Sequence, residues 1–564
     1  MTTQRKWLRR LLRLCAGTLA ALLLLWGLML LLLWHWVAKP PPLPPEAATP
    51  PPALELRADR VYCGRNWFGR REGLPVLYLT GTPYEMGYAN GILTQKLIHR
   101  QEDSILQLLN HFVPQRWAQF LIKFVMVYKN RHLPQHILPE YQLEILGLSR
   151  GCPDVYPQMG PYYHRLLNYH GAQDISYMMM HSFLLRGGCT AFGAWGPETA
   201  AGHLLLARNF DWEADPVFDE DRLVILCEPK DGIAFISLAW AGMAGCVSGM
   251  NREGVSVTVN GAPSRLPKEV ATPTCLVARE ILQRAHNLAE ATDIIRRRQV
   301  FVSALFLVGS RKDGRFAVIE KTPERMAVRE ADGPAYIVCA NHYLTPDLER
   351  DPLNLEFKRV DTSVSRYERM QQLLQGVAGV LDPAQCATLL RDRRLPNGQF
   401  PGNGHRGSLN PLIATHAVIM DLTAGILWAA APPHQLGRFV AFDINELDKV
   451  SPQPAIPEDP MLASGEYRRY RAAQTQLNDG WQALKRGGYA QAAECARQAE
   501  KDNPGYYRNS WLLAESLFSL GQVPAAARAC RSALDGSPAL GGERRRLEEL
   551  ARAISGRGAE TTNP

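Results

Sequence analysis

The stretch RGGCTAFGAWG, residues 186–196, sets Cys189 behind two glycines and ahead of a run of small and apolar residues. A cysteine inside an apolar strand is ordinarily a small core residue, and Cys227, Cys246 and Cys339 read that way. Cys189 has different neighbours. Gly187 and Gly188 give the backbone geometries closed to other residues, and such freedom is needed where a side chain attacks the peptide bond before it. Attack of the thiol on the Gly188 carbonyl would release Cys189 as a new N-terminus. Its α-amine, with an ordinary pKa of about 8, would then stand beside its own thiol as a base.

Downstream residues supply partners for such a nucleophile. In ARNFDW, Arg208 and Asp211 fall where a strand end or turn presents both to a neighbouring strand. A guanidinium there lowers the thiol pKa, and a carboxylate holds the ammonium form of the new N-terminus. Asn260 closes the strand pattern GVSVTVNG and Asn341 lies in CANHY, two amides able to donate to an oxyanion. Taken singly, each has a plainer explanation: a structural ion pair for the first two, a turn residue for the asparagines.

Taken in order, GTPYEMGYANG, GGCTAFGAWGPETAAGHLLLARNFDW, GMNREGVSVTVNG, VCANHY, DTSVSRYERMQQLL and THAVIMD with LWAAAPP resemble the cysteine N-terminal nucleophile hydrolases of the penicillin acyltransferase type. That group is related to bile-salt hydrolases, acid ceramidase and the N-acylethanolamine amidase. The resemblance spans roughly residues 74 to 445 and is most specific from Cys189 to Trp212. It implies an α+β fold, an αββα sandwich, and maturation by cleavage between Gly188 and Cys189. It makes Cys189 the nucleophile, Arg208 and Asp211 its partners, Asn260 and Asn341 amide or oxyanion contacts, and Arg366 in SVSRYERM a supporting arginine. It implies a small-molecule acyl amide substrate, a lipid amide among the candidates, and no cofactor or metal.

Outward from this centre, 564 residues at 46% hydrophobic and 21% charged predict more than one domain. The net charge of +8 includes a cluster at Arg5, Lys6, Arg9, Arg10 and Arg13, so it describes no nucleic-acid surface. That cluster precedes about two dozen nearly uncharged residues, long enough to cross a hydrocarbon core of roughly 30 Å. The basic flank predicts a cytoplasmic N-terminus and an extracytoplasmic body, periplasmic in a bacterium. A cleaved signal peptide is the rival, but its apolar region is shorter and ends in a small-residue site. The expected organisation is therefore basic flank and anchor at 1–38, proline-rich stalk at 39–56, helical segment at 57–188 and catalytic domain at 189–450. The eleven cysteines show no CxxC, zinc or haem spacing.

Residues 463–555 contain two alanine-rich segments thirty-four residues apart, a period that resembles tetratricopeptide repeats. Two readings stand: a helical cap on the enzyme body, or a surface for a protein partner. A scaffold with a catalytically dead body is the opposing functional class, and the joint presence of Cys189, Arg208, Asp211 and Asn341 argues against it. A second candidate nucleophile is Ser149 in GLSRG, which fits the G-x-S-x-G elbow. Its context is an amphipathic helix pattern rather than a strand, so Gly147 and Gly151 read as a helix terminator and loop residues. The glycine-rich PNGQFPGNGHRGS reads as a mobile loop at the pocket mouth.

Overall fold

The computed structural model describes residues 2–179, 187–213, 215–265, 270–451 and 453–560, so His181 and Arg186 lie outside it. Two β-sheets face each other, and hydrophobic alternation explains why. Along the strand Gly202–Trp212, Leu204 and Leu206 enter the layer between the sheets, while Leu205 and Ala207 face the outer helices. The inner layer joins Val76, Leu226, Ile236 and Leu307 of one sheet to Ala191, Val418, Leu427 and Val440 of the other. Outside the large sheet pack α2 (Pro83–Phe112), α4 (Pro139–Gly151), α5 (Tyr162–Met179) and the helices Thr274–Arg284 and Leu288–Arg297. Outside the other sheet pack the helices Ser363–Gln375 and Pro383–Leu390. The order is helix, sheet, sheet, helix.

The smaller sheet has six antiparallel strands, in the order Tyr336–Cys339, Gly187–Gly196, Gly202–Trp212, Ala414–Asp421, Ile426–Ala430 and Phe439–Asp443. The larger sheet has eleven strands. Of the expected helical segment, helices run between Pro83 and Met179, but four strands between Leu54 and Gly81 belong to this sheet, and Gly187 and Gly188 already belong to a strand of the smaller one. The last of the four, Leu74–Gly81, pairs in parallel with Leu223–Pro229. Thr82 then opens α2 with a capping box to Glu85, followed by Pro83 at the first helical position. The proline-rich segment does not run free: Glu46 to Pro52 line a cavity with Tyr84 and Tyr88 of α2.

GLSRG lies within α4, and its glycines are neither terminator nor loop. A Cβ on Gly147 or Gly151 would collide with the carbonyls of Tyr84 and Tyr88 in α2, and a Cβ on Gly87 or Gly91 with those of Glu144 and Leu148. The two four-residue glycine spacings therefore let α2 and α4 cross with their backbones in contact. The Ser149 hydroxyl donates to the Leu146 carbonyl at 2.7 Å. Ser149→Ala should change stability by less than about 0.5 kcal/mol. Gly151→Ala should cost about 1–3 kcal/mol by overpacking, both read by thermal unfolding.

The C-terminal helices Glu466–Lys485, Tyr489–Asp502, Tyr507–Ser519, Val523–Asp535 and Gly541–Glu560 form two hairpins and a closing helix. Their alanines at 492, 499, 526 and 533 are fully buried, which is why small residues recur there. This array holds the glycine-rich segment shut. Asn403 and Asn503 exchange hydrogen bonds at 2.8 and 2.9 Å, and His405 Nε2 lies 2.8 Å from the Ser537 carbonyl. At Gly402, with φ of +79°, any Cβ would meet Tyr506 at 2.8 Å. Residues 401–410 are buried throughout while 397–400 are exposed, so the second part of the expected mobile loop is packed and only its first part lies open.

Candidate active site

Cys189 sits on the strand Gly187–Gly196, between Tyr336–Cys339 and Gly202–Trp212, and is fully buried. Its cross-strand partner is Phe210, and Gly188 stands opposite Asp211. Arg208, on the same strand as Phe210, reaches across the inner layer. Its Nη1 donates to the Val247 carbonyl and to Ser248 Oγ, both at 2.6 Å, and its Nη2 donates to the Val259 carbonyl. The same Nη2 lies 3.6 Å from Cys189 Sγ. Three oxygens, from Val247, Ser248 and Val259, thus fix the guanidinium beside the thiol.

The helix side of the strand holds the backbone of the nucleophile. Arg366, fully buried on Ser363–Gln375, donates through Nη1 to the Cys189 carbonyl at 2.6 Å and to Thr190 Oγ1 at 2.8 Å. Its Nη2 donates to Asn341 Oδ1 at 2.8 Å, and the Cys189 N–H donates to that same oxygen at 2.8 Å. Burial lowers the Arg366 pKa, opposed by Asp361 and Asp211. Gly188 leaves room for Arg366: a Cβ there would stand 3.0 Å from Nη2, and the guanidinium would have to give way by a few tenths of an ångström.

Asn341 Nδ2 donates to the Gly261 carbonyl at 2.8 Å, so Asn341 ties the Cys189 nitrogen to the end of the strand Val255–Gly261. Asn260, on that strand, spends its amide hydrogens on the carbonyls of Cys339 and Ala340, at 3.1 and 2.8 Å. It fixes the turn that carries Asn341. All six sequence-derived residues are therefore in one place, but the side chains of Arg208 and Asp211 lie on opposite faces of their strand and Arg208 spends its hydrogen bonds elsewhere.

Asp211 is fully buried on the helix side, and its Oδ1 has no hydrogen-bond partner among the described residues. Burial raises its pKa to about 7, against the pull of Arg366, Arg406 and Arg208. Between the ordinary carboxyl value and about 7 the folded chain binds one more proton than the unfolded chain. Asp211 thus favours the folded state below its unfolded pKa, and that contribution is lost as pH rises through about 7. Melting temperatures of Asp211→Asn across pH 4 to 8 should fall less steeply than those of the parent over this window; parallel curves would place the shift elsewhere.

Three partners were not legible in the sequence. Ser248 Oγ accepts from Arg208 and is hydrogen-bonded to His416 Nε2 at 3.0 Å. Burial, with Arg208 and Arg222 nearby, holds the His416 pKa well below the usual imidazole value. His416 also stacks on Phe210, with ring centroids 4.9 Å apart. Arg406, from the packed glycine-rich segment, pairs with Glu213 at 3.1 Å and acts on Asp211. Cys227 and Cys339 are buried strand residues, as expected, while Cys246 is buried in the loop before the strand Ser248–Asn251; burial pushes all three thiols up to about 12.

Residues 198–400 match the family model described as acyl-coenzyme A:6-aminopenicillanic acid acyl-transferase. The match contains Arg208, Asp211, Asn260, Asn341 and Arg366 and begins after Cys189, and over that stretch it bears out the resemblance to penicillin acyltransferase-type hydrolases. An uncharacterized protein of Archaeoglobus fulgidus is 26% identical over 392 residues, 63% of each chain. Protein dcd1B of Dictyostelium discoideum is 26% identical over 273 residues, 46% of this chain and 52% of its own. The alignments thus span about half to two-thirds of these relatives. Among solved structures, an N-acylethanolamine-hydrolyzing acid amidase ortholog of Caenorhabditis elegans is 16% identical, covering 42% of this chain and 93% of its own, with a TM-score of 0.32. A conjugated bile acid hydrolase of Clostridium perfringens, in a mutant form, is 14% identical, covering 46% of this chain and 95% of its own, with a TM-score of 0.33.

Proposed function

We propose that the chain is an amidohydrolase or acyltransferase acting on a linear, non-peptide acyl amide, with Cys189 as an N-terminal nucleophile released by its own attack on Gly188. The observation that carries this reading is the double grip on one residue: Arg208 against the thiol, and Arg366 with Asn341 against its backbone. A core cysteine needs neither. In the uncleaved chain the Cys189 nitrogen is an amide and no base. After cleavage the same nitrogen, still facing Asn341 Oδ1, is an amine adjacent to its thiol, and Asp211, opposite Gly188, offers a counter-charge for its protonated form.

The steps follow. The thiol proton passes to the α-amine and sulfur attacks the acyl carbonyl. The second Asn341 amide hydrogen supports the oxyanion. The ammonium returns the proton to the leaving amine, giving a thioester, which water resolves in hydrolysis or a second amine in transfer.

Two cavities open on segments next to those that carry the site, one at Trp212, opposite Gly187, and one at Tyr343, two residues past Asn341. One, lined by Ile98, Leu166, Tyr169, Trp212, Phe218 and Trp240, suits an acyl chain. The other, of about 660 Å³, lies beyond Asn341 among Pro263, Ser303, Tyr343, Glu324 and Arg325, and suits the polar amine portion. The apolar helix Arg13–Trp36 would anchor this body, extracytoplasmic, to a membrane. The C-terminal helices act as a cap, and their hydrogen bonds to residues 403–405 support that reading over a separate partner-binding surface.

N-terminal sequencing of active protein should find a fragment beginning at Cys189, and an N-acyl amide panel followed by mass spectrometry should identify the released acid. Full activity in a wholly intact chain would remove the α-amine base.

A further inference from the structure

One face of α2 runs from the aromatic cavity to open solvent. Ile98 and Gln101, just past its midpoint, line that cavity and are buried; Ile105 stands at the lip, 37% exposed; Leu108 and Phe112 continue the same stripe, exposed. The spacing of three and four residues puts all five on one side. Next in the chain is α3 (Arg116–Lys129), none of whose residues is buried. It exposes Trp117 at 68%, Val125 at 52%, and also Leu121, Ile122, Met126 and Tyr128. An apolar surface of this extent on a folded body marks an interaction site.

Its surroundings identify the occupant. The end of α1 (Thr2–Trp36) is seated on this surface, with the Trp36 ring 5.6 Å from Phe124 and 4.8 Å from Tyr128 of α3. Ala38 then donates its N–H to His164 Nδ1 on α5 at 3.0 Å, so the exit of the apolar helix is fixed to the body. Lys39 lies over Trp34 and Arg131 over Tyr128, each 4.1 Å from the ring centroid. Arg116, Lys123 and Lys129 complete a basic and aromatic border of the kind found at headgroup level.

We propose that α3 and the second half of α2 form an interfacial surface that rests in a lipid bilayer beside α1, and that acyl amides enter the Trp212 cavity from the membrane along the α2 stripe. The proposal rests on the reading of α1 as a membrane span and names the substrate class for the site above: amides of long acyl chains held in a bilayer. The cavity, of about 90 Å³, is far below the roughly 300–1,000 Å³ of a whole-ligand pocket. It receives the leading part of a chain, and the stripe and the lipid accommodate the rest.

The test uses the full chain with Cys15→Ser, reconstituted into phosphatidylcholine vesicles and labelled with an environment-sensitive fluorophore at one introduced cysteine. Leu121→Cys and Val125→Cys should be quenched by spin-labelled lipid and shielded from aqueous iodide, severalfold against Lys312→Cys on an exposed turn. Iodide quenching equal to that of Lys312→Cys would overturn the interfacial surface. Leu24→Cys reads the anchor separately: lipid quenching at 24 without quenching at 121 and 125 leaves the anchor standing and removes the docking surface. In turnover, Leu121→Glu with Val125→Glu should cut hydrolysis of a vesicle-borne long-chain amide at least tenfold and leave a soluble short-chain amide unchanged. Equal loss on both would overturn membrane entry.

Discussion

Cys189→Ala should abolish turnover and chain cleavage together, since the proposed mechanism gives both to one sulfur. The substitution is small and its site is buried, so the variant folds, with a stability change of about 1 kcal/mol as for other single buried replacements. Cys189→Ser separates the two reactions. The hydroxyl keeps its place beside Arg208 but ionises far less readily, so slow cleavage with negligible turnover is expected. The measurement is mass spectrometry of the chain alongside acid release from an acyl amide. Retained turnover in Cys189→Ala would remove the nucleophile assignment, and Ser149 could not replace it, since its hydroxyl is tied to Leu146 within a helix.

The second large effect is at Asn341. Its Oδ1 accepts from both the Cys189 nitrogen and Arg366, and its Nδ2 holds Gly261. Asn341→Ala releases the nitrogen that becomes the base and leaves Arg366 one acceptor short in a buried site. A loss of about a hundredfold in kcat is expected, the scale of one lost polar contact to a reacting centre. Stability should fall by about 1–3 kcal/mol for the unmatched donors. The two are distinguished by measuring kcat well below the melting temperature. A kcat within threefold of the parent would show that Asn341 serves the fold alone.

What the sequence made legible was local. Cys189 with its two glycines, and Arg208 and Asp211 on one strand, are close enough in the chain for spacing to carry chemistry. The alternation of LLLARNF gave the strand and the periodicity of LPEYQLEIL gave the helix. What escaped it depends on approaches between distant segments. The glycines of GLSRG matter because α2 presents glycines opposite them, and neither motif shows this alone. Ser248 and His416 reach Arg208 from two different sheets. The glycine-rich segment has the composition of a mobile loop, and its second part is packed because helices about a hundred residues further along the chain close over it.

That closure has a consequence for how the molecule comes apart. Arg406 stands beside Asp211 only while residues 403–405 are held by Asn503 and Ser537, so the tail is a brace under load and no appendage. A repeat array on a linker would melt by itself and leave the enzyme intact. Here the same hydrogen bonds belong to both parts, so loosening the last helices unseats the electrostatics of the nucleophile before the sheets lose a strand. Inactivation therefore precedes unfolding of the sandwich, and the tail is the fuse of the enzyme.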